Sequence, residues 1–113
     1  MNLCWIIAVV WWVGLCWGSV RADPGDRERW SFATGDEVQS SPAVSSDGAT
    51  VYVGSFDKKV YALKTSDGTP RWSFETGDWV GSSPALSLDG ATVYVGSRDN
   101  NVYALKICLL LYY

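Results

Sequence analysis

The sequence contains no histidine. That absence removes serine–histidine and cysteine–histidine nucleophile pairs and every imidazole metal site. Cysteine is scarce too: Cys4 and Cys16 lie in an apolar N-terminal stretch, and Cys108 follows the last repeated segment. Cleavage of that stretch leaves one thiol, which excludes an internal disulfide and a cysteine metal cluster. Cys108 then reads as a small apolar residue in an apolar tail. Basic residues number nine against twelve acidic ones and are scattered along the chain, so the footprint of a nucleic-acid binder is missing. Phosphate loops are missing as well, because Gly54-Ser55 and Gly96-Ser97 open no helix and lack Gly-x-Gly spacing. No catalytic, metal or cofactor residue is therefore expected, and nucleic acid is not expected as a partner.

What the chain does have is one sequence written twice. Residues 30–64 and 72–106 align at an offset of 42, with 27 of 35 positions identical. The eight differences are Ala33/Glu75, Glu37/Trp79, Gln39/Gly81, Val44/Leu86, Ser46/Leu88, Phe56/Arg98, Lys58/Asn100 and Lys59/Asn101. Shared positions are turn formers and alternating apolar residues, so the fold is specified twice and special chemistry is not. A period near forty residues, rich in β-branched and aromatic residues with Asp-Gly turns, is the sequence form of a propeller blade, which needs stacked neighbours to bury a core.

Ahead of the repeats, Met1 to Val20 carry no charged side chain and include Trp5, Trp11 and Trp12, followed by Arg21-Ala22-Asp23-Pro24. This resembles a secretory signal peptide cut after Ala22. The alternative is an uncleaved anchor formed by residues 3–20, since the basic start is weak and the apolar run long. Cleavage removes Arg21 and leaves eight basic against twelve acidic side chains, a net charge of −4. The expected organisation is 1–22 signal peptide or anchor, 23–29 charged lead-in, 30–106 two repeats (30–71 and 72–106), and 107–113 apolar non-repeat tail.

Strand grammar runs through both copies. A single strand is expected at Trp30 to Thr34, four from about Val38 to Thr76, and three from Val80 to Lys106. Pro42 confines its strand to an edge. Asp47-Gly48 and Asp67-Gly68 mark tight turns, where glycine supplies positive φ. Thr50-Val51-Tyr52-Val53-Gly54 is built of strong β formers. Arg71-Trp72-Ser73-Phe74 alternates polar and aromatic, as a half-buried strand does. Asp36, Asp47, Asp57, Asp67, Asp78, Asp89 and Asp99 mostly flank glycine or polar turn residues. They read as turn formers, because no Asp-x-Asp-x-Asp-Gly calcium spacing occurs. Ser40-Ser41 and Ser82-Ser83 lack a base partner and read as strand structure.

Four segments, Ser40-Ser41-Pro42-Ala43, Val51-Tyr52-Val53-Gly54-Ser55, Val60-Tyr61-Ala62-Leu63 and Gly68-Thr69-Pro70-Arg71-Trp72, resemble quinoprotein-type, or pyrroloquinoline-quinone-like, propeller repeats. Ala62, Gly68 and Trp72 match that family's Ala-x-Asp-x-x-Thr-Gly-x-x-x-Trp motif, with Lys64 and Asp67 replacing its Asp and Thr. In the second copy Ala104 opens the motif, but Leu110 stands where Gly belongs and the sequence given stops one residue before the Trp. WD40 signatures are lacking. The resemblance implies an all-β fold of two four-stranded antiparallel blades, a partial propeller, preceded by a hydrophobic N-terminal helix. It implies that Trp30 and Trp72 dock blades together, with Ala62, Gly68 and Ala104 as repeat signature. Trp79, present in one copy only, is the candidate exposed contact.

Enzymes of that family hold their quinone with residues from many blades, a calcium site and a vicinal cysteine pair. No such pair occurs here, so the resemblance implies a non-catalytic, exported binding or scaffolding module. Scaffold propellers of outer-membrane assembly are among its non-enzymatic members. One alternative is a truncated piece of a larger quinoprotein-like dehydrogenase. Another is a self-assembling two-blade unit, four copies closing an eight-bladed ring through exposed blade edges. Protein partners or self-association are expected, with membrane contact only if residues 3–20 remain.

Overall fold

The computed structural model describes residues 27–107. The chain divides into two units, Met1–Trp30 and Ser31–Tyr113, and the fold below is that of the second. The expected signal segment, its helix and the tail beyond Ile107 lie outside the described residues.

Among the described residues, seven antiparallel strands form two sheets. The first sheet orders β1 (Ala43–Val44), β2 (Thr50–Gly54), β3 (Lys59–Lys64) and β4 (Pro70–Glu75) as consecutive neighbours. The second repeats the pattern with β5 (Ala85–Leu86), β6 (Thr92–Gly96) and β7 (Val102–Lys106). Register repeats with the sequence: Tyr52 faces Ala62 across β2 and β3, and Tyr94 faces Ala104 across β6 and β7.

Each strand boundary has a local cause. Pro42 has no N–H to give a ladder, and β1 begins only after it. The Ser40 side chain stands in for the missing ladder. Its hydroxyl accepts from Gly54 N at 2.8 Å and donates to Gly54 O at 2.9 Å. Ser82 repeats this with Gly96 at 2.7 and 2.8 Å. The serine pairs expected to be structural thus hold the inner end of each blade. Between β1 and β2, Gly48 takes φ of 73° while Asp47 accepts from Ala49 N at 3.0 Å and the Ser45 hydroxyl at 2.5 Å. That is the Asx-type turn foreseen from Asp-Gly.

The four strands expected from about Val38 to Thr76 and the three from Val80 to Lys106 are formed. The fourth strand that the resemblance implied for the second blade would fall beyond Lys106, outside the described residues. One expectation is corrected. The single strand expected over Trp30 to Thr34 is not formed. A strand needs a ladder partner, and the equivalent Trp72 and Phe74 find theirs in β3 of the preceding blade. Among the described residues no blade precedes residues 31–34. They are still positioned like an outer strand: Phe32 meets Tyr61 at 5.2 Å between ring centroids, as Phe74 meets Tyr103 at 5.4 Å.

The two blades pack face to face. Tyr52 and Ala62 bury against Val93, and Val60 buries against Val80 and Val95. Each fully buried valine contributes roughly 1.5–3 kcal/mol relative to exposure. Trp72 borders both clusters from its strand in the first blade. Gly54 lets the second blade come close, since a Cβ there would stand 2.4 Å from Val80 Cγ1. Directly beside this approach, Val80 N donates to Ser55 O at 3.1 Å, a hydrogen bond from one blade to the other.

Candidate functional site

The rim where chain enters β1 and β5 and where β2 and β6 end carries three of the positions that differ between the repeats, 37/79, 39/81 and 56/98. Phe56 follows β2 and Trp79 precedes β5, and their rings stack at 4.9 Å with 11° between planes. On the same indole, the Arg98 guanidinium carbon lies 5.0 Å from the ring centroid. Gly81 makes room for this cluster, because a Cβ there would be 3.2 Å from Phe56 Cε1. The backbone fixes the residues below the side chains: Phe56 N donates to Glu37 O and Arg98 N to Trp79 O, each at 2.9 Å. Trp79 remains 39% exposed in spite of both contacts. The result is an aromatic plate with a cation beside it and an accessible indole edge, suited to a peptide or another flat, π-rich or anionic surface.

A second feature lies at the outer edge. Trp72, Ser73 and Phe74 of β4 and Ala104, Leu105 and Lys106 of β7 line a groove of about 440 Å³. It lies along β7, which has no fourth-strand neighbour among the described residues.

A family model described as outer membrane protein assembly factor BamB matches residues 18–107. The chain belongs to this family of pyrroloquinoline-quinone-like propeller repeats. The crystal structure of BamB from Moraxella catarrhalis is similar to it, with a TM-score of 0.61 at 20% identity, over 69% of this chain and 24% of that one. At that identity the likeness shows the fold, and the chain spans about a quarter of the BamB chain it matches. No curated protein matches it.

Within this BamB-type pair of blades the residues singled out from sequence fall in different settings. Ala62 is buried opposite Trp72 in the β3–β4 ladder, and Gly68 is buried in the turn between those strands. Ala104 is exposed in the groove, with no strand over it among the described residues. Trp72 and Trp30 are half-buried. Trp79 is in the rim stack. The sequence reading did not single out Phe56 or Arg98. The available signal was that positions 37/79, 39/81 and 56/98 all differ between copies that are otherwise nearly identical.

The aspartates are held in turns. Asp57 accepts from Gly35 N at 2.8 Å, Lys59 N at 3.0 Å and the Tyr61 hydroxyl at 2.5 Å. Burial pushes the Asp57 carboxyl up, but the bonds from Tyr61, Gly35, Lys59 and Ser55 outweigh it and hold it below the usual value. Burial, then the bond to Asp57 and its charge, push Tyr61 up to about 12. Asp99 repeats the arrangement with Gly77, Asn101 and Tyr103, its carboxyl lowered chiefly by the Tyr103 hydroxyl. Asp47, Asp67 and Asp89 are lowered chiefly by the hydroxyls of Ser45, Thr69 and Ser87. These carboxylates are stabilised as ions whose lone pairs serve backbone turns, the opposite of a raised, proton-donating acid.

Proposed function

We propose that this chain is a non-catalytic propeller-repeat module, exported from the cytoplasm, that works by binding protein partners in a scaffolding role. The observation that carries the reading is the exposed Trp79 plate with Phe56 stacked on it and Arg98 beside it. Tryptophan and arginine are the residue types most enriched at energetic centres of protein interfaces. Supporting it, four of the five aspartates that hold depressed pKa values, Asp47 with Asp89 and Asp57 with Asp99, are engaged in turns that occur in both repeats, where a dedicated acid–base pair would be expected once. The family's description names outer membrane protein assembly, and the apolar N-terminal stretch ahead of the repeats agrees with export.

A photo-crosslinking residue in place of Trp79, with the same residue at Ser66 as control, tests the reading in cells. The expected result is a discrete protein adduct from position 79 that the control lacks, found in the extracytoplasmic fraction. Equal, diffuse labelling from both positions, or a chain retained in the cytoplasm, overturns it.

A further inference from the structure

The junction between the two blades has two surfaces, and the molecule presents an unused copy of each. In the first blade Tyr52, Gly54, Val60 and Ala62 meet the second blade, with Tyr52 1% and Val60 0% exposed. Forty-two residues on, the identical Tyr94, Gly96, Val102 and Ala104 are not covered by a blade among the described residues, and Tyr94 is 44% and Val102 78% exposed. The partner surface is duplicated too. Val80, Val93 and Val95 fill the junction, while the identical Val38, Val51 and Val53 lie on the first blade, with Val38 47% exposed. The described residues therefore present one half of the interior junction on the second blade and the other half on the first.

The rim residues that differ between the copies decide what fits there. Inside the molecule, position 56 lies against positions 79 and 81: the Phe56 ring on the Trp79 indole, with Gly81 giving it room. Applying the same contact to the exposed surfaces sets Arg98 against Glu37 and Gln39 of a second molecule. The apolar trio becomes a cation facing a carboxylate and an amide. Glu37 and Gln39 already lie together on the surface, with Gln39 Nε2 donating to Glu37 Oε2 at 3.3 Å. Leu88 follows the same rule. Its counterpart Ser46 lies 3.0 Å from where a Cβ of Gly90 would stand, and Leu88 itself is fully exposed, aimed at the position of Gly48 in a second molecule, where a Cβ would meet nothing within 4 Å.

We infer that the bare face of the second blade is a docking surface for the first blade of a second copy of this chain, joined head to tail with Arg98 paired to Glu37. This rests on the propeller reading above and names the partner of that module. The β7 edge completes the junction. By the register of β3 and β4, in which Tyr61 faces Ser73 and Val60 faces Phe74, residues 31–33 of the incoming copy fall beside β7, with Ser31 opposite Tyr103 and Phe32 opposite Val102. Those residues lack a ladder in their own molecule and are already held near it by the Phe32–Tyr61 contact. A head-to-tail contact repeats until it closes, and propellers close at about four to eight blades, which corresponds to about two to four copies.

The full chain, expressed with its own N-terminal segment and purified as the cell processes it, tests this by light scattering on size-exclusion peaks, with circular dichroism on each peak. Wild type is expected as a discrete oligomer whose dissociation is promoted by salt. Arg98→Glu and Glu37→Arg each place like charges in every junction and are expected to weaken assembly by at least about tenfold while the β signal is kept. Mixing the two variants makes every alternating junction opposite in charge again, and so does the double variant; both are expected to return to the wild-type oligomer. A β-rich wild type that stays monomeric to about 100 μM, where micromolar affinity would assemble it, overturns the inference. So does polydisperse association that neither charge change alters, or a mixture that fails to recover. A folded monomer that still gives the Trp79 adduct leaves the binding role standing and assigns the open face to a different partner.

Discussion

Val80 Cγ1 lies 2.4 Å from where a Cβ on Gly54 would stand, and Val80 O lies 3.0 Å from it. Glycine at 54 is what lets the second blade approach the first. Gly54→Ala is expected to cost about 1–3 kcal/mol, because a methyl group there must push a fully buried valine and its backbone aside. Gly96→Ala is the internal control, since its nearest neighbour is the Ser82 hydroxyl oxygen at 3.4 Å. Urea denaturation at one fixed, low chain concentration should shift its midpoint for the first variant and leave it within about 0.5 kcal/mol for the second. Equal effects at the two glycines would show that the close approach is not what requires the first.

The β2–β3 turn holds Lys58 at φ of 73°, and the matching turn holds Asn100 at 72°. An L-residue with a long side chain is disfavoured in that left-handed region, which asparagine tolerates. Lys58→Asn, which transplants the second copy's residue into the first, is expected to stabilise by about 0.5–1 kcal/mol, and Asn100→Lys to lose a similar amount. Thermal melting read by circular dichroism checks both directions. If the two changes share a sign, backbone conformation is not what separates the two turns.

Most of the architecture was legible in sequence because it is encoded locally. Alternation in Thr50-Val51-Tyr52-Val53-Gly54 sets faces, Asp47-Gly48 sets a turn, and Pro42 ends a ladder; each acts within a few residues and appears twice. The expected strand at Trp30 to Thr34 failed for a non-local reason. Its residue types match β4, but strand formation depends on a ladder neighbour, and none lies beside it among the described residues. The rim stack was less legible, since Arg98 meets Trp79 only through the fold of the second blade and Phe56 meets it only once the two blades are packed. Position-by-position comparison of the copies marks where such a contact lies without saying which residues touch.

Trp72 and Trp79 divide a packing role from a surface role, and alanine substitution should separate them. Trp72 borders both buried clusters and pairs with Ala62 in the ladder. Its removal is expected to cost about 3 kcal/mol, near the low end for large aromatics because it is only half-buried. Trp79→Ala gives up one stacked ring and one cation contact at an exposed site, about 0.5–1.5 kcal/mol. Denaturant midpoints rank the two, and the crosslinking and binding readouts should invert the ranking. A Trp79→Ala chain that unfolds as readily as Trp72→Ala would make the rim stack part of the core.

Stability should fall at both ends of the pH scale through different groups. The carboxyls of Asp47, Asp57, Asp67, Asp89 and Asp99 are held below the ordinary 3.8. A depressed carboxylate stabilises the fold above its unfolded value, and that stabilisation disappears as pH drops through the lower folded value, so the acid loss should begin near pH 4 and deepen below it. Tyr61 behaves in the opposite sense. Its phenol is pushed from 10.0 up to about 12, so its contribution is complete below pH 10 and is lost between there and about pH 12. Burial raises Tyr52 as well, and the bond to Asp99 raises Tyr103, so both steepen the alkaline side. Tyr61→Phe is expected to shrink the alkaline loss without abolishing it. It should also move the acid loss upward, because Asp57 then keeps only its backbone and serine donors. Urea midpoints across the pH range check both shifts in one variant. An alkaline limb that Tyr61→Phe leaves unchanged, with the acid limb unmoved, would mean that the Tyr61 hydroxyl and Asp57 are not coupled in solution.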